Sequence, residues 1–228
     1  MMGERSDQLR STTSHPARLV FVGDSITDCG RDRSDPASLG EGYVHLIADA
    51  LAGRADGAEV RNLGVSGDRA VDLEARWAGE VAPTRADVLT VYVGVNDMWR
   101  RFDSDDPTEA AAFEATLRRL LDALPEPLPR LLLIEPFFLP VTPDQHAWLD
   151  DLDGKRAAVV RVAADYDATV IPLHDRMTAA AREQGIPAIA SDGVHPSPAG
   201  HRMIAEAWLD AAGLDAAGLD AAGLDAAG

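Results

Sequence analysis

The sequence predicts an α/β fold, a parallel sheet of five strands covered by helices. Two observations carry that prediction. Short β-branched runs alternate along the chain with longer segments of helical period, the signature of strands joined by crossover helices. The 228 residues, 46% of them hydrophobic, also suffice for one domain with a sizeable core.

The strand candidates are "RLVFVG", "EVRNLG", "DVLTVYVG", "RLLLIEP" and "ATVIPL". Helical period fills the intervals around residues 40–52, 68–79, 108–124, 145–166 and 174–184, and a last helix begins near Pro198. Ser197 is its expected N-cap and Pro198 sits in its first turn. The chain divides into a flexible segment over 1–17, the α/β domain over 18–208 and a low-complexity tail over 209–228. That tail is "LDAAG" four times in succession. Its leucines recur every fifth residue, matching neither helix nor strand, and each internal glycine costs a helix roughly 1 kcal/mol relative to alanine. Fraying is expected after Trp208 and Leu209.

A formal charge of −17 repels phosphate backbones and anionic membrane surfaces, so nucleic acid and lipid headgroups are poor partners. Neutral or cationic small molecules fit better. The single cysteine, Cys29, cannot form an intramolecular disulfide, which suits a reducing compartment. The first residues lack the apolar core of a signal peptide, and no stretch approaches the ~20 apolar residues of a membrane span. The expected location is the cytoplasm.

In open parallel sheets ligands bind beyond the carboxyl ends of the strands. There the first strand leaves Ser25, the second leaves "NLGVSGD" with Gly64, and the third leaves "VGVND" with Asn96. Far downstream, "SDGVHPSPAGH" carries Asp192 three residues before His195. Serine is a weak nucleophile until an imidazole removes its proton, and the imidazole needs a carboxylate on its other nitrogen. Ser25, His195 and Asp192 supply those roles. The developing oxyanion needs donors already aimed at it, for which the Ser25 and Gly64 N–H groups and the Asn96 amide are candidates. Pro196 forces His195 out of the α region and into a loop, whereas His201 falls within the last helix.

These blocks, "GDSITD", "NLGVSGD", "GVND" and "DGVHP", resemble in order and spacing those of the SGNH, or GDSL-type, hydrolases. The resemblance spans residues 18–208, with Ile26 in place of the leucine of the family's nickname. It implies a flavodoxin-like three-layer α/β/α sandwich and a serine esterase with Ser25 as nucleophile, Gly64 and Asn96 as oxyanion-hole donors, and His195 with Asp192 as the base pair. The segments "GDSITDCGR", "GYVHLIADAL", "ARW" and "GVNDMWR" are similar to the cytoplasmic acetyl-xylan esterase branch, whose members deacetylate xylo-oligosaccharides and often form homo-oligomers. The expected substrate is accordingly a small-molecule ester on an acetylated sugar. A lysophospholipase or thioesterase of the same family, and a non-catalytic sugar-binding protein, are the alternatives.

Asp24, Trp99 and Arg69 flank the blocks and are candidates for substrate contacts. Trp99 either packs or stacks on a sugar face; Arg69 either meets substrate or ion-pairs with local acids. Cys29 is either a small packing residue near the site or a functionally sensitive one. His15, His45, His146, His174 and His201 show no metal-ligand spacing, so neither a metal nor a cofactor is expected.

Overall fold

β1, Ala17–Gly23, runs through the middle of the molecule with its side chains alternating between two cores. Leu19 and Phe21 join one core and Val20 and Val22 the other, so both faces of the strand are covered. The computed structural model describes residues 16–52 and 57–214. Its sheet also contains β2 (Ala58–Asn62), β3 (Val88–Tyr92), β4 (Arg130–Ile134) and β5 (Thr169–Ile171). All pairings are parallel and the spatial order is β2-β1-β3-β4-β5, the flavodoxin-like order.

After β1 the chain forms the short α1 (Ser25–Asp28) and then α2 (Tyr43–Ala52) before returning as β2. It next forms α3 (Ala70–Arg76), which continues through a π-helical turn over Trp77–Val81. β3 leads directly into α4 (Val95–Asp103) and then α5 (Ala110–Asp122). A 3₁₀ turn over Pro143–Trp148 and α6 (Leu149–Asp165) follow β4. The chain ends with α7 (Leu173–Gln184), α8 (Ile186–Ile189) and α9 (Pro198–Ala212). One core lies between the sheet and α2, α7, α8 and α9; the other lies beneath α3, α5 and α6. Trp208 of α9 ties its layer to the sheet by donating its indole N–H to Thr90 Oγ1 at 2.8 Å.

β1 and β3 are neighbours, yet the chain leaves them toward opposite sides of the sheet, to β2 from one and to β4 from the other. That divergence opens a crevice at their carboxyl ends. α4 and the short α1 are absent from the sequence reading because each follows its strand with almost no linker, so their residues read as strand end and turn.

The last helix runs past the boundary expected at 208. Leu209 and Ala212, from the first "LDAAG" copy, are buried. Arg130 donates to the carbonyls of Ala211 and Ala212 at 2.8 and 3.0 Å. Gly213 then closes the helix at φ 76°, its N–H bonding to Asp210 O and that of Leu214 to Leu209 O. Burial and capping outweigh the poor propensity of the repeat. The other copies from 215 onward, and residues 1–15 of the N-terminal segment, lie outside the described residues. Among the described residues no helix is long and apolar enough to cross a membrane.

Candidate active site

Ser25 is the first residue of α1, placed there because Asp24 ends β1 and caps the helix, its Oδ1 accepting the Ile26 N–H at 3.0 Å. Cys29 stops the helix after one turn in a left-handed conformation, φ 38°. The Ser25 N–H donates to no acceptor among the described residues and stands beside its own hydroxyl. Ser25 Oγ lies 2.9 Å from His195 Nε2. On the other side of the ring, Nδ1 lies 2.6 Å from Asp192 Oδ2. The second Asp192 oxygen, Oδ1, accepts the N–H groups of Val194 and His195 at 2.9 and 2.8 Å. Burial pushes the Asp192 carboxyl up, but the His195 ring and these two N–H groups together hold it below the usual carboxylate range.

Gly193 lets the loop between the acid and the base close on itself. Its φ is 84°, and a Cβ there would stand 2.1 Å from Leu139 O. The Leu139 N–H returns a bond to Gly193 O at 2.9 Å, fixing the loop to the segment after β4. His201, by contrast, is buried in α9, its Nδ1 accepting the Tyr43 N–H at 3.2 Å. The ring proton therefore sits on Nε2, 3.3 Å from Cys29 Sγ. Burial, aided by the charge of His195, lowers the His201 pKa to about 4. Cys29 is thus a half-buried packing partner whose thiol burial pushes up.

The three candidate oxyanion donors are placed differently. Asn96 lies in the first turn of α4, where its Nδ2 donates one hydrogen to Asp68 O at 3.1 Å and retains a second. Gly64 departs from the expectation. Its N–H donates to Asn62 Oδ1 at 2.9 Å and its carbonyl accepts from Arg31 Nε at 2.7 Å. A Cβ at Gly64 would lie 2.2 Å from the Asp28 nitrogen, so this glycine permits the β2 loop to lie against α1. Three residues on, Gly67 has φ 89° in the turn that the Asp68 N–H closes onto Val65 O at 3.1 Å. Its N–H donates to no acceptor among the described residues, and it directly precedes the residue that holds the Asn96 amide. In "NLGVSGD" both glycines read as turn residues, and it is the Asn62 amide oxygen, by taking the Gly64 N–H, that separates them.

Of the flanking candidates, Trp99 is the one that borders the Ser25–His195–Asp192 chain, its ring centroid 6.2 Å from that of His195. Asp24 is fully buried, with one oxygen on the helix cap and the other without a hydrogen bond among the described residues. Burial pushes its carboxyl up to about 7, and a group sealed beneath α1 cannot touch a substrate. Arg69 directs its guanidinium to Asp106 at 2.8 Å and Asp72 at 3.6 Å, the ion-pairing alternative.

Two supports were not foreseen. Arg76, from "ARW", donates Nη2 to Leu63 O at 2.8 Å and Gly23 O at 3.5 Å, and Nε to Asp68 at 2.8 Å, drawing together the ends of β1 and β2 and the turn. Asp97, beside Asn96, accepts the Ala70 N–H at 3.1 Å and so holds the start of α3. Burial pushes its carboxyl up to about 6.

Residues 21–203 match the GDSL-like lipase/acylhydrolase family. An acetylxylan esterase from Geobacillus stearothermophilus is 32% identical over 206 residues, which cover 86% of this chain and 94% of that protein. The crystal structure of Axe2, an acetylxylan esterase from the same organism, is 31% identical with a TM-score of 0.81, covering 89% of this chain and 96% of its own. A catalytic mutant of Axe2 with a histidine replaced by alanine is 30% identical with a TM-score of 0.82, over 90% of this chain and 98% of that one. LAE5, a hydrolase from the metagenome of Lake Arreo, is 30% identical with a TM-score of 0.80, over 88% of this chain and 97% of its own. Because the family match covers residues 21–203, which include Ser25, Asn96 and His195, and an acetylxylan esterase is 32% identical over 86% of the chain, this chain belongs to the GDSL-like lipase/acylhydrolase family and is a carboxylic ester hydrolase.

Proposed function

We propose that the chain is a serine esterase that removes acetyl groups from xylo-oligosaccharides through an acyl-enzyme on Ser25. The observation that carries this reading is the continuous chain from Ser25 Oγ to His195 Nε2, 2.9 Å, and from His195 Nδ1 to Asp192, 2.6 Å. His195 takes the Ser25 proton as Oγ attacks the acetyl carbonyl, while Asp192 stabilises the imidazolium and holds its tautomer. The tetrahedral oxyanion is received by the Ser25 and Gly67 N–H groups and the Asn96 amide, which are aimed before reaction and cost no reorganisation during it. As the intermediate collapses, the sugar oxygen leaves with the proton from His195 and the acetyl group remains on Ser25. Water then attacks the acyl-enzyme with His195 again as base, and acetate and free Ser25 result. Trp99 walls the site beside His195.

The acetyl-xylan preference is supported by the relatives and by the charge of −17, which favours a neutral sugar ester over an anionic lipid. Action in the cytoplasm, supported by the unpaired Cys29, and assembly as a homo-oligomer belong to the same reading. The test is acetate release from acetylated xylo-oligosaccharides set against p-nitrophenyl esters of increasing chain length. Release abolished by Ser25→Ala and confined to short acyl groups is expected. A preference for long chains overturns the reading in favour of a lysophospholipase or thioesterase.

A further inference from the structure

A row of aromatic side chains leads away from the catalytic groups and ends in solvent. Asn96, Trp99 and Phe102 lie three residues apart on α4, so each is displaced from the last by ~4.5 Å along the helix axis. Trp99 stands against His195. Phe102 stacks flat on Trp148, with ring centroids 4.7 Å apart and planes 6° apart. Trp148 also stacks on Phe138, at 5.4 Å and 17°. Phe138 in turn lies under the catalytic loop, its Cε2 3.2 Å from where a Gly193 Cβ would be. The stack is therefore built outward from the Asp192–His195 loop. Phe138 is buried, Trp148 is half-buried, and Phe102, the outermost ring, is 38% exposed.

The turn carrying Trp148 is rigidly made. Gln145 Oε1 accepts the Val141 and Thr142 N–H groups at 2.7 and 3.1 Å, and Pro143 begins the 3₁₀ turn. The part of a large apolar ring that stays in water contributes nothing to the fold, and Phe102 is among the exposed large hydrophobics of the described residues.

We propose that the outer face of Phe102, backed by Trp148 and Phe138, is a second sugar-binding site that seats another pyranose ring of the oligosaccharide deacetylated at Ser25. This inference rests on the proposed deacetylation of xylo-oligosaccharides. A pyranose presents a flat face of C–H groups whose partial positive charge matches the negative face of an aromatic ring. Its equatorial hydroxyls project sideways and can donate to a carboxylate such as that of the exposed Asp105, three residues beyond Phe102. An acyl chain calls instead for an enclosed apolar channel, whereas Phe102 is followed by four exposed polar residues. The strongly negative chain disfavours an anionic occupant.

The experiment compares kcat/KM for acetylated xylotriose with kcat/KM for acetylated methyl β-xyloside, whose single pyranose is the one held at Ser25. It uses the full-length enzyme and the Phe102→Ala, Phe102→Leu and Phe102→Tyr variants, each checked by thermal melting. The expected result is that the ratio of trisaccharide to monosaccharide activity falls about tenfold in Phe102→Ala and Phe102→Leu, while Phe102→Tyr, which keeps the flat face, retains it. Because the ratio is taken within each variant, a general loss of folded enzyme does not move it. An unchanged ratio in Phe102→Ala overturns the inference alone. So does a selective loss on p-nitrophenyl octanoate, which marks an acyl-chain site, or a reduced sedimentation mass with the ratio unchanged, which marks a contact between copies. Absence of acetate release from both sugars by the unmodified enzyme overturns the functional reading and this inference with it.

Discussion

Replacing Asn96 tests whether its amide acts on the transition state or on the bound ester. The side chain is 3% exposed and has two N–H groups, one of which is spent on Asp68 O at 3.1 Å. The other has no acceptor among the described residues, and on the proposed mechanism it donates to an oxygen that carries full charge only in the tetrahedral intermediate. Its loss in Asn96→Ala is expected to lower kcat by about 10² to 10³, about 2.7 to 4 kcal/mol, the range for a single oxyanion donor. KM for p-nitrophenyl acetate should change less than about twofold, because an uncharged carbonyl gains little from that donor. The same substitution leaves Asp68 O unpaired in a buried position, at ~1 to 3 kcal/mol of stability. Thermal melting therefore accompanies the kinetics, and the assay is run well below the variant's transition. Asn96→Asp should lose at least as much kcat, since a carboxylate repels the oxyanion. A rise in KM with kcat preserved, or a loss of kcat under about tenfold, would refute the argument.

Two further expectations concern the glycines and the buried histidine. Gly67→Ala meets no atom within 4 Å but is strained at φ 89°, so kcat should fall through displacement of its N–H while melting changes modestly; Gly64→Ala must push against the Asp28 nitrogen at 2.2 Å and should lower the melting temperature far more. Kinetics and melting of both variants check this, and a Gly67→Ala enzyme with wild-type kcat removes that N–H from the hole. His201 has a folded pKa near 4, below its ordinary unfolded value of about 6.5, so the unfolded chain binds the proton first and stability falls as pH drops from about 6.5 toward 4. His201→Asn, which keeps an acceptor for the Tyr43 N–H but cannot titrate, should reduce the loss between pH 7 and 4.5 by ~2 kcal/mol. Chemical denaturation at the two pH values measures it. Equal losses in both proteins contradict a buried neutral His201. Asp24, with its pKa raised by burial, contributes with the opposite sign over nearly the same range, and it cancels when variant and parent are subtracted.

What the sequence determined by itself is local chemistry and its order along the chain. Alternating strand and helix periods imply a parallel sheet, and that sheet sends Ser25, the β2 turn and Asn96 to one crevice whatever the details of packing. Pro196 alone separates the loop histidine from the helical one, because its ring restricts the residue before it. Only the tertiary structure decided which N–H groups remain free. Gly64 and Gly67 are indistinguishable as turn glycines until Asn62 takes the N–H of one, while that of the other meets no acceptor among the described residues. Asp24 looks like a site residue from its place beside Ser25, but the direction of its side chain, into the core and onto the Ile26 N–H, depends on what packs over α1. The repeat leucine Leu209 is helical because it is buried, a long-range effect that overrides propensity. The stack of Phe102, Trp148 and Phe138 joins residues from α4, the 3₁₀ turn and the segment after β4, and nothing in their spacing along the chain reports that they meet. Hydrogen-bond ownership and side-chain direction are set by partners distant in sequence, so they become legible only once the chain has folded.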